Sequence, residues 1–134
     1  MPYIHVSMRK GTSEEYRAKV FQAIHEGMIQ SMGIPEDDFF GLIHELDDAN
    51  LFYDKNYFGR PRSDKFMLIH FFWNARAAVT KQIIFEAIAD KLVESAGVAR
   101  DDFIMSIVEP APENWWVTGR QVDPRTGTDA RIKL

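Results

Sequence analysis

The 134 residues predict an α/β (α+β) fold: two tandem β-α-β units forming one four-stranded sheet with two helices on one face. Three observations predict it. First, residues 33–45 (Gly-Ile-Pro-Glu-Asp-Asp-Phe-Phe-Gly-Leu-Ile-His-Glu) match residues 97–109 (Gly-Val-Ala-Arg-Asp-Asp-Phe-Ile-Met-Ser-Ile-Val-Glu) without a gap. Self-similarity at a fixed offset marks a repeated structural unit. Second, the same offset of 64 pairs Phe21 with Phe85, Ala23 with Ala87, Ile24 with Ile88 and Ser31 with Ser95, and lays residues 3–8 on residues 67–72. Third, each copy reads strand, helix, strand, and right-handed crossovers make such a copy a parallel strand pair with a helix on one face.

Taken in order, residues 3–8 alternate and carry the β-branched Ile4 and Val6, the pattern of a strand. Gly11 suits a turn, Thr12 or Ser13 can cap a helix, and Glu14 and Glu15 suit its first turn. Tyr16, Val20, Ile24 and Met28 then recur every fourth residue, predicting a helix over 13–32 that Gly33 closes and Pro35 ends. Residues 39–46 read as a second strand. Residues 47–62 are a long connection with a short hairpin expected around Phe52 and Tyr53. Residues 66–73 (Phe-Met-Leu-Ile-His-Phe-Phe-Trp) predict a central strand covered on both faces. A helix over about 77–96 carries Val79, Ile84, Ile88, Leu92 and Val93, with Gly97 ending it. Residues 102–109 predict a fourth strand, stopped by Pro110 and Pro112, and residues 115–117 a last short one. The chain is expected to be one domain over 1–134, with repeats over about 2–46 and 66–109 and a polar tail over 119–134 that is partly loose.

Composition narrows the function. Net charge is −4 without a basic tract, which argues against nucleic acid as a partner. There are no cysteines, so disulfides and thiol nucleophiles are excluded. No apolar run approaches the ~20 residues of a membrane span. No charged-then-apolar leader opens the chain, so a cytoplasmic location is expected. His5, His25, His44 and His70 show no ligand spacing, so no metal is expected. Helices on one face leave the other sheet face uncovered, and a large apolar face of that kind predicts self-association.

The chemistry-bearing stretch is Met1-Pro2 ahead of the first strand. If an aminopeptidase removes Met1, the chain begins with a secondary amine held rigidly by that strand. Burial or a nearby cation lowers an amine pKa, and a neutral prolyl nitrogen can act as general base, or its protonated form as acid. Asp37 and Asp38 stand between a helix end and a strand, where paired aspartates also make turns. The repeat sets Asp101 and Asp102 at the equivalent place. Arg76 follows the third strand and could hold a carboxylate bidentately. Arg60 and Arg62 could line the same pocket, although a solvated loop fits them better.

Several short matches together resemble the tautomerase superfamily, and within it the malonate semialdehyde decarboxylase group. They are Pro2 opening a strand, Arg9-Lys10-Gly11, Pro35-Glu36-Asp37-Asp38, Arg62-Ser63-Asp64, Arg76 after the third strand, Val108-Glu109 and Glu113-Asn114-Trp115. The resemblance implies a homotrimer that needs no cofactor. It implies Pro2 as the catalytic proline, Asp38 as a water-directing carboxylate and Arg76 as the arginine that binds a substrate carboxylate. Asn74 stands where the decarboxylase group has a second arginine, Trp115 matches an aromatic of the site wall, and Val117 stands where another aromatic is expected. The function these imply is a tautomerase acting on a small oxo acid. The alternatives are a decarboxylase or hydratase of a 3-oxo acid such as malonate semialdehyde, using protonated Pro2, or a non-catalytic module that binds small acids.

Overall fold

The computed structural model describes residues 2–128. Strand β1 (Tyr3–Arg9) buries every second residue: Ile4, Val6 and Met8 face inward, and Tyr3, His5 and Ser7 face outward. That alternation is what a strand with one covered face requires. Ser13 caps helix α1 (Glu14–Met32), its hydroxyl accepting the Tyr16 N–H at 3.1 Å. The bond satisfies one of the amides the first turn leaves open. Gly33 ends the helix at φ 68°, in the left-handed region a glycine enters without Cβ strain.

Strand β2 (Gly41–Leu46) is shorter than the expected 39–46. Phe39 turns its ring onto Phe21 and His25, with centroids 5.2 and 4.6 Å apart, and does not continue the ladder. The hairpin expected around Phe52 and Tyr53 is absent; two 3-10 turns, Asp48–Asn50 and Tyr57–Gly59, occupy the connection. Side chains hold this segment. The Tyr53 ring stacks on Phe66 at 4.4 Å, and its hydroxyl donates to the Ser63 carbonyl at 2.8 Å. The Ser63 N–H and hydroxyl both donate to buried Asp102, at 2.7 and 2.6 Å.

Strand β3 (Met67–Phe72), helix α2 (Ala78–Ala96) and strand β4 (Phe103–Val108) form the second unit. The sheet order is β2-β1-β3-β4, with β1–β2 and β3–β4 parallel and β1–β3 antiparallel. Val20, Ile24 and Met28 of α1 and Ile84, Ile88 and Leu92 of α2 share one core with Ile4, Val6, Ile69 and Phe71. Gly27 lets the helices approach: a Cβ there would stand 2.8 Å from the Ile88 Cα. Val79 and Val93 do not join the core; they are 66% and 38% exposed. The inward stripe runs at spacing four through 84, 88 and 92, and Val93 lies about 100° around the helix from it.

The 64-residue offset holds for the helices, since α1 and α2 begin and end at equivalent residues. It fails for the leading strands. Ile4, Val6 and Met8 face the core, whereas Leu68, His70 and Phe72, 64 residues later, do not; Met67, Ile69 and Phe71 do. A shift of one residue exchanges strand faces, so an odd offset relates β1 to β3. Within the single chain the second face of β3 is open: His70 is exposed, and Leu68 and Phe72 are half-buried.

Residues 115–117 form no strand. A 3-10 turn, Pro112–Asn114, leads into an isolated antiparallel bridge between Trp116 and Gln121. The segment expected to be a loose tail is held as far as residue 128. Val122 is 1% exposed and donates its N–H to the Trp115 carbonyl at 2.9 Å. Residues 129–134 of that expectation lie outside the described residues.

Candidate active site

Topology gathers the predicted site residues at one end of the sheet. The antiparallel register pairs Tyr3 with Phe72, which sets Pro2 across from Trp73, one residue before Asn74 and three before Arg76. The parallel register pairs Ile4 with Gly41, so the turn carrying Asp38 enters β2 at that same end. Arg60 and Arg62 do not join them. Arg60 pairs with Asp101 at 2.7 Å and the Arg62 Nε donates to the Asp101 carbonyl at 3.0 Å, at the far end of the sheet where β4 begins.

Pro2 is buried and lines a cleft of about 580 Å³. Around it stand Tyr3, His5, Phe40, Leu42, Trp115 and Trp116. Trp115 is 8% exposed and meets the Tyr3 ring edge-on at 5.7 Å, while Trp116 is 73% exposed. Trp115 is therefore the buried tryptophan of this cleft, and Trp116 stands at its rim. Tyr3, His5, Phe40 and Leu42 were not foreseen as lining residues. A strand's alternation assigns Tyr3 and His5 to one face, but only the sheet order brings Phe40 and Leu42 beside them.

Asp38 is half-buried and is not among the cleft's lining residues. Its backbone is pinned on both sides. Its N–H donates to the Pro35 carbonyl at 3.1 Å, and the buried His25 Nε2 lies 3.1 Å from its carbonyl oxygen. A carbonyl only accepts, so His25 carries its proton on Nε2. The equivalent Asp102 has a structural task, since its carboxylate is taken by Ser63.

Asn74 and Arg76 also lie outside the cleft lining. The Asn74 amide donates to the Gly127 carbonyl at 2.7 Å, fastening the C-terminal segment over the end of β3. Arg76 gives its backbone N–H to the Glu109 carboxylate at 2.6 Å, and the other Glu109 oxygen meets the Lys81 Nζ at 2.8 Å. These two donors, the Lys81 ammonium first, hold the Glu109 carboxyl below its ordinary pKa against the opposing effect of burial. The Arg76 Nε is buried with no hydrogen-bond partner among the described residues. Arg9, Arg17, Arg60, Arg100 and Arg125 each have a carboxylate partner.

Beside Pro2, His5 contacts His44 at 5.5 Å and stands opposite His70 in the β1–β3 ladder. Burial, then the charges of His44 and His70, push its pKa below the ordinary value. Among the described residues, no group of three or more His, Asp or Glu is placed to hold a metal ion. None of the described helices is long and apolar enough to cross a membrane.

Comparison with known proteins agrees with this architecture. Two family models described as tautomerase enzyme match residues 38–117 and 2–61. A probable tautomerase, YusQ of Bacillus subtilis (strain 168), is 30% identical over 116 residues, covering 86% of this chain and 91% of the relative. The crystal structure of a malonate semialdehyde decarboxylase shares the fold at a TM-score of 0.82 and 19% identity, over 89% of this chain and 93% of that one. FG41 malonate semialdehyde decarboxylase inhibited by 3-bromopropiolate superposes at a TM-score of 0.79 and 29% identity, over 87% of this chain and 88% of that one. With its doubled β-α-β sheet and a buried Pro2 heading the first strand, the chain belongs to the tautomerase enzyme family.

Proposed function

We propose that the protein is a cofactor-independent keto–enol tautomerase of an oxo acid, with the amine of Pro2 as general base after loss of Met1. One observation carries the reading. Pro2 is buried at the sheet end where β3 delivers Arg76, a half-buried arginine whose buried Nε has no hydrogen-bond partner among the described residues. A buried guanidinium donor without a partner is costly unless a ligand completes it. A carboxylate fits its planar fork bidentately. With the acid anchored there, the neutral prolyl nitrogen takes the proton from the carbon α to the carbonyl. The electron pair moves onto the carbonyl oxygen, and the resulting ammonium returns the proton to that oxygen, giving the enol. The reverse sequence gives the keto form. Trp115 and Tyr3 form the apolar wall that favours the uncharged amine.

A second reading has its own support. Asp38 enters at the same end of the sheet, and the likeness to FG41 malonate semialdehyde decarboxylase extends over most of the chain. A protonated Pro2 polarising a 3-oxo acid, with Asp38 directing water, would make the protein a decarboxylase or hydratase. In either reading we place the site in a cytoplasmic homotrimer.

Turnover of a panel of enolisable 2-oxo and 3-oxo acids separates the readings: proton exchange alone supports the tautomerase, carbon dioxide release the decarboxylase. Pro2→Ala is expected to lose about 10²–10⁴-fold in kcat/KM, the usual contribution of a general base. A sample proved by intact mass to retain Met1 is expected to lose more, because an amide nitrogen binds no proton. Full activity in that sample would falsify the mechanism.

A further inference from the structure

We infer that Lys81 and Glu109 are a positioning pair that keeps the Arg76 guanidinium available to a carboxylate ligand. The inference rests on the reading of Arg76 as the acid anchor, and it concerns two residues outside the cleft lining.

The repeat isolates what is special here. In the first unit Arg17, in the first turns of α1, pairs with Glu45 at the end of β2, 3.1 Å apart. The residues 64 positions later are Lys81 and Glu109, paired at 2.8 Å. A cation near the helix start bound to a glutamate at the end of the second strand is thus part of the scaffold. At the far end of the sheet that pair serves no arginine, since the position equivalent to Arg76 is Thr12. Helix α1 is capped there by its own Ser13. Helix α2 has Ala77 at its N-cap, with no side-chain acceptor, and the backbone N–H of the preceding Arg76 donates to Glu109 at 2.6 Å. Glu109 therefore fixes the backbone from which the Arg76 side chain springs.

That arrangement carries a hazard. A carboxylate held against the Arg76 backbone is the nearest rival to a substrate carboxylate for its guanidinium. Lys81 removes the rivalry by occupying the second oxygen of Glu109. Lys81 and Glu109 have side chains only 28% and 22% exposed, so solvent screens the contact weakly. Lys81 and Arg76 both bear electrostatically on Glu109, the Lys81 ammonium through its direct contact first, so two cations share one carboxylate and the corner keeps a net positive charge for an incoming acid.

The test reads binding of 2-oxobutanoate by quenching of tryptophan fluorescence in the full chain, alongside kcat and KM for the same acid. Lys81→Met frees Glu109 to turn onto Arg76; the dissociation constant and KM are expected to rise about tenfold or more, with kcat unchanged. Lys81→Gln should behave likewise and serves if the methionine variant folds poorly. In Lys81→Met/Glu109→Gln the amide oxygen still accepts the Arg76 N–H but carries no charge. Affinity is then expected to return to within about twofold of wild type, as the rivalry is removed. A merely structural pair gives the opposite order, with the double variant no better than the single one. That order, or wild-type affinity in both Lys81 variants, overturns the inference. Failure of the wild type to bind 2-oxobutanoate saturably overturns it as well, together with the role given to Arg76. Saturable binding without proton exchange sinks the tautomerase reading alone, and the variant series still decides this one.

Discussion

At the residue scale, identity and environment part company in instructive ways. Asp38 and Asp102 occupy equivalent positions of the repeat. Asp102 is 3% exposed and spends both oxygens on Ser63, whereas Asp38 stands at the end of the sheet where Pro2 begins its strand. Nothing in the dipeptide Asp-Asp distinguishes the two, because the difference lies in what the intervening loop brings against each. The Arg62-Ser63-Asp64 motif is explained by the same contact: it fastens residues 62–64 to Asp101, Asp102 and Arg9. A glycine gives the sharpest residue-scale prediction. Gly27→Ala sets a methyl group 2.8 Å from the Ile88 Cα, a backbone atom that cannot swing aside. Overpacking of that kind costs about 1–3 kcal/mol, offset in part by about 1 kcal/mol of helix propensity. A lowered urea midpoint with an unchanged slope is expected, and an unchanged or raised midpoint would mean the helices separate freely.

At the scale of elements, periodicity identified both helices and all four strands, since burial on one face imposes it directly. It misjudged where the chain leaves a regular path. Phe39 is apolar enough to continue β2 but packs on Phe21 and His25. Val79 and Val93 are apolar enough for the core but lie off the stripe. On β1 the outward row carries a titratable cluster: His5 faces Tyr3, Phe72, His44 and His70. Its pKa is depressed by burial first and by the two histidines next. The folded chain therefore binds this proton less readily than the unfolded one. Above about pH 6.5 both states are neutral there and stability is unaffected. As the pH falls below that value the unfolded chain takes up the proton first and stability declines. The urea midpoint is expected to drop between pH 7.5 and 5.5 at fixed protein concentration. It should drop less in His44→Gln; an equal drop in both proteins would remove His44 from the effect.

On the scale of the whole molecule, the two units form one sheet with both helices contributing to one core. The opposite face carries Leu42, Leu68, Phe72, Ile104 and Val108, of which Leu42, Ile104 and Val108 are more than 40% exposed. β2 and β4 are the edges of the sheet. An apolar sheet face of this extent is the kind of surface that other subunits cover, and the Pro2 cleft opens beside it through Tyr3, His5 and Leu42. Sedimentation equilibrium at micromolar concentration is expected to give three times the mass of the chain. A monomer there would overturn the assembly, and a stable dimer would contradict the homotrimer that the resemblance implies.

The sequence by itself determined the kind and order of the two helices and four sheet strands, a cap at Thr12 or Ser13 and a stop at Gly33, and its resemblance to the tautomerase superfamily nominated Pro2, Asp38, Arg76 and Trp115. These are local properties: period, capping chemistry and residue type at a position in the chain. Only the tertiary structure decided the odd offset between β1 and β3, because a repeat read along the helices cannot sense which face a strand presents. It alone showed Trp115 buried and Trp116 exposed, and Asn74 bound to Gly127. It alone brought Lys81 and Glu109 to Arg76. Such facts depend on pairs of residues far apart in the chain, and their geometry exists only once the sheet has chosen its register.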